Sequence, residues 1–118
     1  MPPSARSGDA VVAGRTLRVR TPQGEADVPI RIFAPYQKGG AWVCRTEIDW
    51  PERQQALDAA GHDSAQALYI AMEIVGVHLY TSAYHADDAF IFTDWIGYGF
   101  PVPKGIRDLL IGHDAKYM

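Results

Sequence analysis

Residues 63–84, DSAQALYIAMEIVGVHLYTSAY, form the one long patterned stretch in the chain, and the rest must fold around it. Asp63 is a good N-cap with Gln66 three residues on. This is a capping-box arrangement in which the carboxylate takes the Gln66 amide proton and the Gln66 side chain reaches back. Leu68, Met72, Val75 and Leu79 then follow at steps of four, three and four, which draws one apolar stripe down a 3.6-residue helix. Ala71, Gly76, Ser82 and Ala83 flank the stripe and are small enough for another layer to come close. The opposite side carries Ile70, Ile74 and Val77, and Glu73 is the only fully charged side chain between Ser64 and Tyr84. A helix that is apolar nearly all round is covered on both sides. One side should face a sheet, the other the C-terminal segment or a second copy of the chain. A membrane span is the competing explanation. Glu73, His78 and several hydroxyls oppose it, because a carboxylate at mid-span costs about 3 kcal/mol and no basic flank anchors the ends.

Upstream the period changes to two. Residues 11–20 read as a strand with Leu17 and Val19 on one face and Arg18 and Arg20 on the other. The turn Thr21-Pro22-Gln23-Gly24 leads into a second strand over 26–34, with Val28, Ile30 and Ile32 on one face and Arg31 and Phe33 on the other. Pro29 has no amide proton, which puts the start of that strand at an edge or bulge. Residues 35–40 turn again, and 41–49 form a third strand in which Trp42, Cys44, Thr46 and Ile48 alternate with Val43, Arg45, Glu47 and Asp49. Residues 50–61 are polar and mixed, and Pro51 is placed to open a short helical turn through Leu57, with Gly61 to stop it. After the helix, 89–93 is a short strand candidate, 95–103 an ordered aromatic loop broken by glycine and proline, and 104–111 a last helical turn or two. The expected class is α+β: an antiparallel meander of three to four strands with one long helix packed on one face, in two layers. Residues 1–9 read as a disordered arm and 10–118 as a single domain.

At 118 residues the chain suits one domain, with a core that buries about two thirds of the unfolded surface. Its single cysteine, Cys44, rules out an internal disulfide and fits a reducing compartment. With no apolar leader at the N-terminus, the expected location is the cytoplasm. A net charge of -3 disfavours a general nucleic-acid binder. Residues 1–53 carry eight basic and six acidic side chains, and 54–118 three and eight, so a basic sheet half precedes an acidic helical half.

Three local patterns, Trp42-x-Cys44-x-x-x-Ile48, Asp63-Ser64-x-Gln66-Ala67-Leu68 and Trp95-x-x-x-Gly99-x-Pro101, occur in this order. Their order and spacing resemble a family of short uncharacterised bacterial proteins catalogued as a domain of unknown function, over roughly residues 15–105. The resemblance implies a compact α+β domain in a bacterial cytoplasm. It brings no activity, substrate or catalytic residue with it.

No catalytic constellation, metal site or cofactor is implied. His78 and His85 are seven apart, about 10 Å along a helix axis, too far to share one ion. Cys44 falls at an inward strand position, where a thiol is a small hydrophobe. Glu73 has the makings of a buried general acid, but a lone helix carboxylate more often reaches solvent or an arginine. Gly97 and Gly99 do not open a helix after a strand, so no phosphate loop follows. Arg18, Arg20, Arg31 and Arg45 share the outer sheet face, where Glu25, Asp27, Glu47 and Asp49 are placed to neutralise them. Three functions follow. The first is a non-enzymatic binding or regulatory module that self-associates as a homodimer or meets another protein partner, through Trp95, Tyr98 and Phe100, which look exposed. The second is a small enzyme or ligand-binding domain with a pocket between helix and C-terminal loop, using Glu73, His78, Asp94 and Trp95. The third, and weakest, is nucleic-acid contact through the arginine face. No membrane partner is expected.

Overall fold

The strands follow from the alternation. The computed structural model describes residues 10–92 and 97–117, apart from the side chains at 106–108, 113, 116 and 117. β1 (Val11–Thr21) and β2 (Gly24–Phe33) pair antiparallel around a tight turn closed by Gly24 at φ 115°. β2 then runs beside one half of β4 (Ala41–Asp49), with Ile30 opposite Ile48. Pro35 interrupts the strand, and the short β3 (Tyr36–Lys38) continues along the other half of β4. Gly39 and Gly40, at φ 58° and 83°, make the two-residue hairpin turn between them. β5 (Gln54–Gly61) pairs with the far side of β4 from Asp49 to Trp42, and β6 (Phe90–Ile91) adds to β1. The antiparallel sheet therefore runs β5-β4-β2-β1-β6, with β3 prolonging β2. It has six strands where three to four were expected.

The additional long strand is β5, at the place where a helical turn was expected. Its burial alternates, with Gln55, Leu57, Ala59 and Gly61 turned toward the core side. Apart from Leu57 those positions are small or polar, and at Gly61 the helix backbone presses directly on the strand. A Cβ added to Gly61 would stand 2.5 Å from the Ala67 backbone nitrogen. Alanine-rich sequence with little apolar contrast does not announce a strand.

α1 (Ser64–Tyr80) starts where the capping box places it: Asp63 Oδ1 accepts from the Gln66 amide at 2.7 Å, and Gln66 Oε1 accepts from the His62 amide at 2.6 Å. The helix packs on β5 and β4. Ala67, Ala71, Val75 and Leu79 form its buried line, with Leu68 and Met72 half-buried beside them. The first two turns bury alanine rather than the larger neighbours because they lie against Ala59 and Gly61. α1 ends four residues short of the expected Tyr84. Thr81 Oγ1 donates to the Val77 carbonyl, and Ser82 Oγ donates to Leu79 O while accepting from His85 N to start the short α2 (Ala83–Ala86). His78 and His85 thus sit on different helices.

Sheet residues Leu17, Val19, Val28, Ile30, Ile32, Cys44 and Ile48 are buried as expected, and Trp42 is half-buried at the border of the same face. Each fully buried aliphatic side chain contributes about 2 kcal/mol. The second cover of α1 is the C-terminal segment. A Cβ on Gly76 would lie 2.0 Å from Pro101 O, so the chain crosses the helix at its one glycine. Tyr98 and Phe100, expected at an exposed interaction surface, are instead core residues, 1% and 3% exposed, because residues 97–102 fill the sheet face beside α1. A six-residue 3₁₀ turn (Lys104–Leu109) and α3 (Gly112–Tyr117) close the chain. The expected N-terminal arm, residues 1–9, lies outside the described residues. Among the described residues no helix is long and apolar enough to cross a membrane.

Candidate functional site

A cavity of about 300 Å³ opens where the end of α1 meets the β4–β5 connection, lined by Trp50, Glu52, Arg53, Gln55, His78 and Tyr84, among others. Its chemistry is set by one donor. Trp50 Nε1–H donates to Gln55 Oε1 at 2.9 Å, and an indole can only donate. The Gln55 amide is therefore oriented with its NH2 toward His78, whose Nδ1 lies 3.2 Å away and must accept. The imidazole proton is left on Nε2, which has no partner among the described residues. Burial, then the charge of Arg53, pushes the His78 pKa below its ordinary value. Tyr84 stacks on Trp50, with ring centres 5.5 Å apart, and donates to Glu52 Oε2 at 2.6 Å. That bond, helped by burial, moves the Tyr84 hydroxyl up to about 12.

A second cluster ties down the C-terminal segment. The buried Asp114 carboxylate accepts from Tyr80 Oη at 2.5 Å and from the backbone amides of Tyr98 and Gly99 at 2.9 Å each. Tyr80 Oη in turn accepts from Ile111 N at 3.2 Å. Gly97 and Gly99, at φ 75° and 81°, let the backbone wrap the carboxylate; a Cβ on Gly97 would meet Asp114 Cγ at 2.7 Å. Tyr98 Oη is also hydrogen-bonded to His85 Nδ1. This is a buried anion satisfied by three donors, a structural clamp between α1 and the segment after it.

Of the expected ligand residues, His78 lines the cavity, on the side of α1 away from the C-terminal loop. Glu73 is half-buried, and none of its contacts is a hydrogen bond or ion pair with a described residue. Asp94 and Trp95 lie outside the described residues. The outer arginines are committed. Arg31 grips Asp49 bidentately at 2.7 and 2.8 Å and also bonds Glu47, holding the Asp49 carboxyl below its usual range. Arg45 pairs with Glu47, Arg18 with Glu25 and Asp27, and Arg20 donates to the Asp88 carbonyl. The four acids expected to neutralise this face do so, and it is not a basic groove. Cys44 is buried, donates to Phe33 O, and has its thiol pKa raised by burial and then by Asp58. Among the described residues no three His, Cys, Asp or Glu side chains gather as a metal site.

The signals that the sequence reading missed are Trp50, Glu52, Arg53 and Gln55. They fell in a stretch without periodicity. Only the folding of β5 back along β4 brings them to the end of α1.

Fold and clusters together define a two-layer α+β domain: an open antiparallel sheet with one face covered by a helix and a carboxylate-clamped C-terminal segment. The chain belongs to the family described as a domain of unknown function (DUF6968), which matches residues 13–102. That span contains the whole sheet beyond the first residues of β1, all of α1 and the cavity residues, and it stops before Asp114. Comparison with curated proteins and with solved structures finds no match.

Proposed function

We propose that the protein is a non-enzymatic binding module that works as a homodimer, with β5 of one copy pairing antiparallel with β5 of the other. One observation carries this reading: the open long edge of the sheet and a half-exposed apolar flank of α1 lie side by side. β5 hydrogen-bonds only to β4 among the described strands, so every second residue directs its N–H and C=O away from the sheet. It has no proline, and Asp58 is its one charged side chain. The flank Ile70–Ile74–His78 runs along this strand. Ile70 borders a surface groove with Ala60 and Gly61 at one end, and His78 bonds Gln55 at the other. Ile70 and Ile74 are half-buried, as is Val77 beside them.

A two-fold axis through Leu57 covers edge and flank at once. It continues the sheet below, sets α1 against its copy above, and places Asp58 opposite Ala56 rather than opposite itself. The sequence of β5 is compatible with its own reverse, which is what a second copy requires. The free, buried Cys44 supports a reducing compartment, and we place the protein in the cytoplasm.

Light scattering tests the proposal. The expected mass is twice the single-chain 13.0 kDa. Ile74→Lys, and separately Ala56→Asp at an exposed position of β5, which sets two carboxylates opposite one another across the axis, should return the single-chain mass with the circular-dichroism spectrum unchanged. A single-chain mass for the natural sequence at the highest reachable concentration overturns it.

A further inference from the structure

The cavity beside His78 has uncommitted donors in its lining. Thr81 and Ser82, which also line it, spend their hydroxyl protons on the carbonyls of Val77 and Leu79, so the last turn of α1 is capped by its own side chains. Glu52 spends one oxygen on Tyr84. Two groups remain. The Arg53 guanidinium has no ion pair or side-chain hydrogen bond with a described residue, and it stands close enough for its charge to be felt at the His78 ring. The His78 Nε2–H is free because the Trp50–Gln55 relay has fixed the ring's other nitrogen as the acceptor.

A fixed N–H and a guanidinium on one cavity are complementary to an oxyanion. We propose that this cavity binds a small ligand bearing a carboxylate or phosphate group, held by Arg53 and by the Nε2–H of His78. At about 300 Å³ it is at the lower end of ligand-pocket sizes and admits a small metabolite rather than a nucleotide or a peptide. The free oxygen of Glu52 favours a ligand that also carries a hydrogen-bond donor. The inference goes beyond the dimer proposal and does not rest on it, since all the groups it uses come from one chain.

The test uses the full chain with isotope-labelled histidines, titrated separately with inorganic phosphate and with glycolate against a chloride control of equal ionic strength. One probe or the other should shift the His78 ring resonances saturably, leave His62 in place, and raise the His78 pKa when bound. The probe that does so identifies the head group. Arg53→Gln, at an exposed position outside any strand, should weaken that binding about tenfold, the loss of one charge-assisted contact, with the melting temperature unchanged. The proposal is overturned if neither probe moves His78 beyond the chloride control, or if the midpoint is the same in Arg53→Gln. Because the readout is local to one ring, it succeeds or fails whatever the oligomeric state.

Discussion

An indole N–H has no acceptor character, and that single fact propagates through three residues. Trp50 orients Gln55, Gln55 orients the proton on His78, and burial, then the charge of Arg53, makes that ring resist a second proton. Below the ordinary histidine value of 6.5 the unfolded chain takes up a proton that the folded chain refuses. The stability contribution is thus whole above 6.5 and is lost as pH falls from there to the lower folded value. Gln55→Glu reverses the sign. Both carboxylate oxygens accept, Trp50 keeps its partner, and His78 Nδ1 now faces an acceptor that favours imidazolium. The His78 pKa, read by NMR titration, should move from below 6.5 to above it. The variant's stability, measured by denaturant unfolding, should then be greatest on the acid side and decline as pH rises through the new value. An unchanged His78 pKa in Gln55→Glu would show that the relay does not set the tautomer. At this scale His78 was legible as a candidate because a polar ring on an apolar helix stands out. Asp114 was not. Nothing in GHDAKY distinguishes a carboxylate that will be wrapped by Tyr98 and Gly99 amides from one left in water.

Among the elements, α1 was legible from its cap and its period, and β1, β2 and β4 from strict alternation. β5 was not, for a reason carried by particular residues. Its inward positions include Ala59 and Gly61, held small by the backbone of α1, so the contrast that marks a strand is missing. The same close packing explains why Ala67 and Ala71, not Leu68 and Met72, form the buried line. Gly76 shows how far packing overrides helix propensity. In an isolated helix, Gly→Ala at an interior position gains about 1 kcal/mol. Here the new Cβ would stand 2.0 Å from Pro101 O, a backbone atom with no rotamer to change. Gly76→Ala should destabilise the fold by about 2 kcal/mol or more, because the 97–102 segment must lift from the helix and take the Tyr98 and Gly99 amides away from Asp114. Thermal unfolding measures this. A raised melting temperature would show that the C-terminal segment yields freely, and that α1 is covered on its second side only loosely.

The whole sheet ends differently on its two sides. On one side β6 pairs with only Arg18 and Val19 of β1, and the edge of β1 that this leaves among the described strands is broken by a register shift between Val11 and Ala13 and carries Arg15. On the other, β5 offers eight residues without a bulge in its register with β4. Proteins ordinarily shield such an edge with proline, lysine or a covering strand; β5 contains no proline or lysine, and no second strand pairs with it among the described residues. Amide exchange distinguishes an edge that is merely tolerated from one that is used. In a monomer, the amides of β5 that point to β4 are protected and the alternate ones face water and exchange fast. In a β5–β5 dimer both sets are bonded. Hydrogen exchange of concentrated protein should therefore show continuous protection from Gln54 to Gly61. Dilution below the dissociation constant should strip it from every second residue, leaving a period of two, while the amides that bind β1 to β2 keep the same rates throughout. A period of two already present at high concentration would leave the long edge facing water, and the helix flank above it would need another explanation.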